Sequence, residues 1–238
     1  MLHALSPSVA LATLVIATSS ALQAATGMGM ALFAAPLLAL IDTAYVPGPT
    51  LCAVMVLSAA VAWRERGVLD RRVLVTALLG LAIGCGAAVA VLTMLAGMDL
   101  ARLFAVLILA AVFLSLLGAR IPVRTAPLLF GGAASGLLGT MSGAHGPPIA
   151  LVLQHEPPAR LRATLCAFFA VGCALSLLAL SAGGLFGLMQ LKLGVALLPG
   201  VVVGFALSPL LNRRIDRRRA RTSVLAISAL SALALLLH

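Results

Sequence analysis

The chain has 238 residues, of which 63% are hydrophobic, 9% charged and 4% aromatic, whereas an ordinary soluble domain carries about 25% charged residues. This excludes a water-soluble fold and leaves a multi-span membrane protein, because a span takes roughly 20 apolar residues and this length holds about eight to ten of them. The formal charge of +10 does not indicate nucleic acid: the arginines lie between apolar runs, where they set orientation, and no aromatic residues interleave them as single-stranded nucleic acid requires.

In chain order the apolar blocks cover about residues 8–41, 48–63, 73–96, 101–118, 126–154, 161–182, 190–211 and 222–237. At the start, Val9 to Ile16 followed by Ala21-Leu22-Gln23-Ala24 has the outline of a secretory signal, but the basic residues that would precede one are lacking. The segment is therefore read as part of the mature chain. Charge punctuates the gaps, most clearly from Arg64 to Arg72, Arg120 to Arg124, Glu156 to Arg162 and Asn212 to Arg221. Backbone amides in lipid must be satisfied within a helix or a closed barrel, and these blocks are far longer than barrel strands. The spans are helices. Cys52, Cys85, Cys166 and Cys173 all fall inside apolar runs without a C-x-x-C pair, which predicts packing roles.

Two blocks, 8–41 and 126–154, are too long for one span, and each is broken by glycines and a proline. The first reads Thr26-Gly27-Met28-Gly29-Met30 and reaches Pro36; the second reads Ser142-Gly143-Ala144-His145-Gly146-Pro147-Pro148. Further on, Leu79-Gly80-Leu81-Ala82-Ile83-Gly84 is echoed by Pro199-Gly200-Val201-Val202-Val203-Gly204, 120 residues later. An internal duplication with halves 1–119 and 120–238 follows.

If every block crosses once, the 16 basic residues divide 9 to 7 between the two faces. If each broken block instead returns to its own side as a hairpin, they divide 14 to 2, with only Arg102 and Lys192 in the minority. The second division has the positive-inside asymmetry of an inner-membrane protein. The expected fold is an all-α polytopic membrane protein made of two inverted repeats, each a glycine-broken helical hairpin plus three transmembrane helices. Secondary transporters are built this way, with the substrate near the midplane between broken helices.

The span interiors hold no Asp, Glu, Lys or Arg, and the polar residues at depth gather in the broken blocks: Gln23, Thr26, Thr140, Ser142, His145 and Gln154. Asp42 and Glu156 stand at block ends as interfacial acids. Thr93, Ser115, Ser176 and Ser181 are expected to bond their own helix backbone. A glycine break exposes backbone N–H groups and a helix N-terminus, both of which attract anions. Glycine admits close approach, and proline at the start of the return arm loses no bond. Two breaks facing each other predict a ring of donors for a small anion, with Gln23, Thr26, Gly27, Gly29, Thr140, Ser142, Gly143, His145, Gly146 and Pro147 as the substrate-binding set. For Gly80, Gly84, Gly200 and Gly204 the four-residue spacing predicts a helix-packing face.

The run Ser135-Gly136-Leu137-Leu138-Gly139-Thr140-Met141-Ser142-Gly143-Ala144-His145-Gly146-Pro147-Pro148, with Leu197-Leu198-Pro199-Gly200-Val201-Val202-Val203-Gly204, resembles the TauE/SafE sulfite exporter family of membrane transporters. The likeness follows nearly the whole chain in block order. It departs at Gly27-Met28-Gly29-Met30, where the family tends to have consecutive glycines. The resemblance implies export or uptake of small sulfur oxyanions or organosulfonates, by alternating access. No cofactor, metal or catalytic residue is expected. The expected partners are a small anion, the lipid bilayer and a further copy of the chain, in a bacterial inner membrane. Two other readings are open: an intramembrane hydrolase with Ser142 as nucleophile and His145 as base, and an assembly factor that transports nothing.

Overall fold

The computed structural model describes residues 7–26, 30–95, 99–116, 121–212 and 217–237. Among these residues there are α-helices, two short 3-10 turns and no strand: α1 (Pro7–Thr26), α2 (Met30–Ile41), α3 (Gly48–Arg64), α4 (Arg71–Met94), α5 (Leu100–Leu116), α6 (Thr125–Ser142), α7 (Gly146–Leu153), α8 (Pro158–Ala182), α9 (Leu188–Asn212) and α10 (Arg217–Leu237). Five segments, Pro7–Ala25, Thr43–Arg64, Arg71–Met94, Pro158–Ala182 and Leu188–Pro209, are long and apolar enough to cross a bilayer. Shorter apolar helices cover Met30–Ile41, Ala101–Leu116 and Thr222–Leu237. Each apolar block of the sequence becomes one helix, apart from the two long blocks, which become two helices each.

Local chemistry sets the boundaries. Asp70 starts α4 by accepting a hydrogen bond from the Val73 amide at 3.1 Å, the usual service of a side chain at a helix N-terminus. Pro158 opens α8, where a missing N–H costs nothing. Pro36 does not begin the return arm of the first hairpin, as expected, but lies inside α2. A proline there leaves the carbonyl four residues back without its helical donor. The Ser228 hydroxyl of α10 reaches that Leu32 carbonyl at 2.7 Å, sharing its one proton with the Val224 carbonyl of its own helix at 2.6 Å. Pro209 in α9 frees the Phe205 carbonyl in the same way, and it accepts from the Ser208 hydroxyl at 2.8 Å.

Small residues determine how the helices meet. The two most extensive packing pairs are α4 with α6 and α1 with α9. A Cβ added at Gly80 or Gly84 of α4 would collide with the Leu129 or Ala133 carbonyl of α6, and one at Gly132 or Gly136 of α6 with the Ala77 or Leu81 carbonyl of α4. On α9, Gly200 and Gly204 lie against the Thr13 and Ala17 carbonyls of α1 in the same manner. Bare Cα atoms let the backbones touch, which in lipid is a main source of helix association. The central pair α3 and α8 packs between these two units, and α10 packs on α5 and α2.

An ion pair fixes the relation of the faces. The Arg162 Nε donates to both carboxylate oxygens of Glu65, at 2.7 and 2.6 Å, so the end of α3 and the start of α8 lie on one face. Between them the chain runs through α4, α5, α6 and α7.

Candidate functional site

The second break is built from its sequence outward. α6 ends where Gly143 takes φ +84°, a left-handed conformation that favours glycine, and its amide closes back on the Gly139 carbonyl at 2.7 Å. α7 then starts on Gly146-Pro147-Pro148. The two prolines have no amide to leave unpaired, and the next one, Ile149 N–H, donates to the buried Ser135 hydroxyl at 3.1 Å. The helix start is thus stitched to the helix before it, and the amides left around the turn are few.

A cavity of about 280 Å³ opens from this turn. Gly143, Ala144, His145, Gly146 and Pro147 form one end, joined by Gln23 of α1. Leu32 of α2, Val54 of α3, Leu151 of α7, Phe169 of α8, and Val224 and Leu225 of α10 supply apolar wall. Gln154, Glu156, Pro158 and Leu161 line it toward the face that carries the Glu65–Arg162 pair. Both halves of the chain contribute to it.

The expected site residues divide by position. Gln23, Gly143, His145, Gly146 and Pro147 meet at the cavity. Gly27 and Gly29 lie outside the described residues, as does the side chain of Thr26. Thr140 and Ser142, both fully buried, are not among the residues lining the cavity. Ser142 donates to the Leu138 carbonyl at 2.8 Å and accepts a longer bond, 3.4 Å, from the Ala144 amide. Thr140 faces away from the cavity into the contact of α6 with α4 and α8, 2.7 Å from the Ser176 hydroxyl and 3.3 Å from Cys85 Sγ.

Ser176 is a residue the sequence reading misplaced. It was expected to bond its own backbone, as Thr93 and Ser115 do to Ala90 and Ala111 at 2.8 and 2.9 Å. Instead it joins Thr140, Cys85 at 3.3 Å and the His145 Nε2 at 3.0 Å. The other ring nitrogen of His145 stands 3.9 Å from Cys173 Sγ. His145 is 2% exposed, and its ring lies on the bare Cα of Gly139, where a Cβ would collide with it. One signal in the sequence pointed to Ser176: Ser58, 118 residues earlier, stands at nearly the repeat offset, and it accepts a 2.7 Å bond from Gln23 Nε2. Of the pair named in the hydrolase reading, the Ser142 hydroxyl donates to the Leu138 carbonyl and the His145 Nε2 meets the Ser176 hydroxyl.

Gly143 lies beside Thr50, near the start of α3, whereas Gln23, at the last turn of α1, bonds Ser58. Past Gln23, the Ala24 carbonyl accepts from Arg64 Nη2 at 3.5 Å, so a cation serves the C-terminal end of α1. The same guanidinium lies 5.2 Å from the centre of the Phe205 ring.

Compared with known proteins, the chain from residue 11 to residue 235 matches the family model described as sulfite exporter TauE/SafE. No curated protein and no solved structure matches it.

Proposed function

Because the chain belongs to the sulfite exporter TauE/SafE family, whose members are membrane transporters, we propose that it carries a small sulfur oxyanion or organosulfonate across the bacterial inner membrane. It is an integral, multi-pass membrane protein. In the proposed mechanism residues 1–119 and 120–238 are inverted repeats that alternate access to the cavity, and the ligand's charged end rests at the Gly143–Gly146 turn beside Gln23. Thr26, Gly27 and Gly29 add donors from the first break, while Thr140 and Ser142 hold the second break in shape. The transported ion is bound and released without a chemical step.

The observation that carries this reading is a cavity shared by both halves that ends on a helix break. The backbone turn and the N-terminal end of α7 offer partial positive charge without a cationic side chain. The inverted repeat draws support from an exchange in the packing: α1 of the first half lies on α9 of the second, and α6 of the second lies on α4 of the first. Equivalent glycine pairs serve both contacts, Gly80 and Gly84 in one and Gly200 and Gly204 in the other. The positive-inside count supports a cytoplasmic Glu65–Arg162 face, and in this reading the cavity opens toward the side from which an exporter loads.

Flux in proteoliposomes tests the reading, with a panel of sulfite, thiosulfate, sulfonates and carboxylates. Gly146→Val is the informative variant, because a Cβ at Gly146 meets only Phe169, at an ordinary 3.6 Å, so the fold tolerates it while the branched side chain narrows the turn. Flux should fall by about tenfold or more, since the ligand's close approach depends on the missing side chain. Equal flux at matched protein would return Gly146 to a packing role, and absence of flux for every anion would remove the transport reading.

A further inference from the structure

Resting on the anion-transport reading above, we propose that the cavity takes an organic anion with a single negative charge and an apolar body of several carbon atoms, in preference to a bare sulfur oxyanion. The first argument is size. A bare oxyanion needs the room of about two waters, each taking about 30 Å³ of liquid, and the cavity offers about 280 Å³. The remaining space is bounded by Leu32, Val54, Leu151, Phe169, Val224 and Leu225. Those side chains cannot hydrogen-bond water, and a ligand carrying its own apolar surface gains what bulk water would lose there.

The second argument is charge. Glu156 lines the cavity near its opening, and among the described residues no lysine or arginine lines it. Moving an ion out of water is costly unless fixed charge or hydrogen bonds replace its hydration, and in a simple continuum view the cost grows as the square of the charge. The turn supplies few donors, because Pro147 and Pro148 have none and the Ile149 amide is given to Ser135. Such an end suits one diffuse charge and suits a dianion poorly. The polar end at Gly143 to Gly146 and the apolar flank together describe an amphiphile lying with its head group at the break and its carbon body along α2, α8 and α10.

Binding of the linear alkanesulfonates from methane- to hexanesulfonate tests this on the full-length protein in lipid nanodiscs, alongside sulfite at alkaline pH and the matching neutral alcohols. Affinity should rise about fourfold per added methylene until the cavity is filled, with dianionic sulfite at least tenfold weaker than propanesulfonate and the alcohols weaker than the sulfonates. Ala150→Phe, or Leu32→Phe should the first not fold, should abolish the gain with chain length and keep methanesulfonate. If sulfite and methanesulfonate bind as tightly as hexanesulfonate, the apolar body is wrong and the small-anion reading stands. If alcohols bind as well as sulfonates, or nothing binds, the anion reading falls with it. A chain-length gain unchanged in the narrowed variants puts the binding elsewhere and overturns the proposal.

Discussion

His145 occupies a slot that exists because residue 139 has no side chain, and its Nε2 is held by Ser176. Gly139→Ala normally favours a helix by reducing the unfolded chain's freedom, yet here the methyl group would enter the imidazole. The expected outcome is destabilisation by about 1–3 kcal/mol, as for overpacking elsewhere, read as a fall in the melting temperature of the purified protein. A variant as stable as the parent would mean that the ring does not rest on Gly139. The residues that line the turn were legible because polar and glycine residues stand out in a block of 29 mostly apolar ones, 126–154. Which way each pointed was not. Thr140 and Gly143 are three apart in sequence, but the left-handed turn at Gly143 ends the helical phase, so Thr140 stays with α4 and α8 while Gly143 reaches the cavity.

At the scale of elements, the glycines of α4 form an internal comparison. Gly84 faces the Ala133 carbonyl of α6, and Gly86, half a turn on, has nothing within 4 Å of where a Cβ would stand. Gly84→Ala should therefore cost about 1–3 kcal/mol and lower the folded yield, whereas Gly86→Ala should be neutral or gain up to about 1 kcal/mol. Thermal stability of the two variants side by side decides it, and equal behaviour would deny the close α4–α6 contact. Helix positions were readable in advance because charged residues end nearly every apolar run, and hydration of those charges sets where a helix can leave the bilayer. Pro36 was misread because a proline usually ends a helix. What permits it inside α2 is a hydroxyl 192 residues later, Ser228 on α10, and no local pattern contains that information.

For the whole molecule, the Glu65–Arg162 pair ties the exit of α3 to the entry of α8 with both side chains largely shielded, 12% and 17% exposed. Glu65→Cys and Arg162→Cys, each made singly on a background without the native cysteines, should both be reached by membrane-impermeant thiol reagents from the cytoplasmic side. Labelling from opposite faces would dismantle the hairpin at α6–α7. The pairing of helices was not readable in advance, because it depends on which small-residue faces meet after insertion. That pairing bears on how the protein is made. The α1 surface at Thr13 and Ala17 finds its partner only when Gly200 and Gly204 emerge, about 190 residues later, which at 5–20 residues per second is on the order of ten to forty seconds of synthesis. Through that interval α1 and α2 must wait in the bilayer beside lipid or the insertion machinery, so the first half cannot be finished before the second, and the final assembly of the protein is a late, cooperative closing of one half around the other.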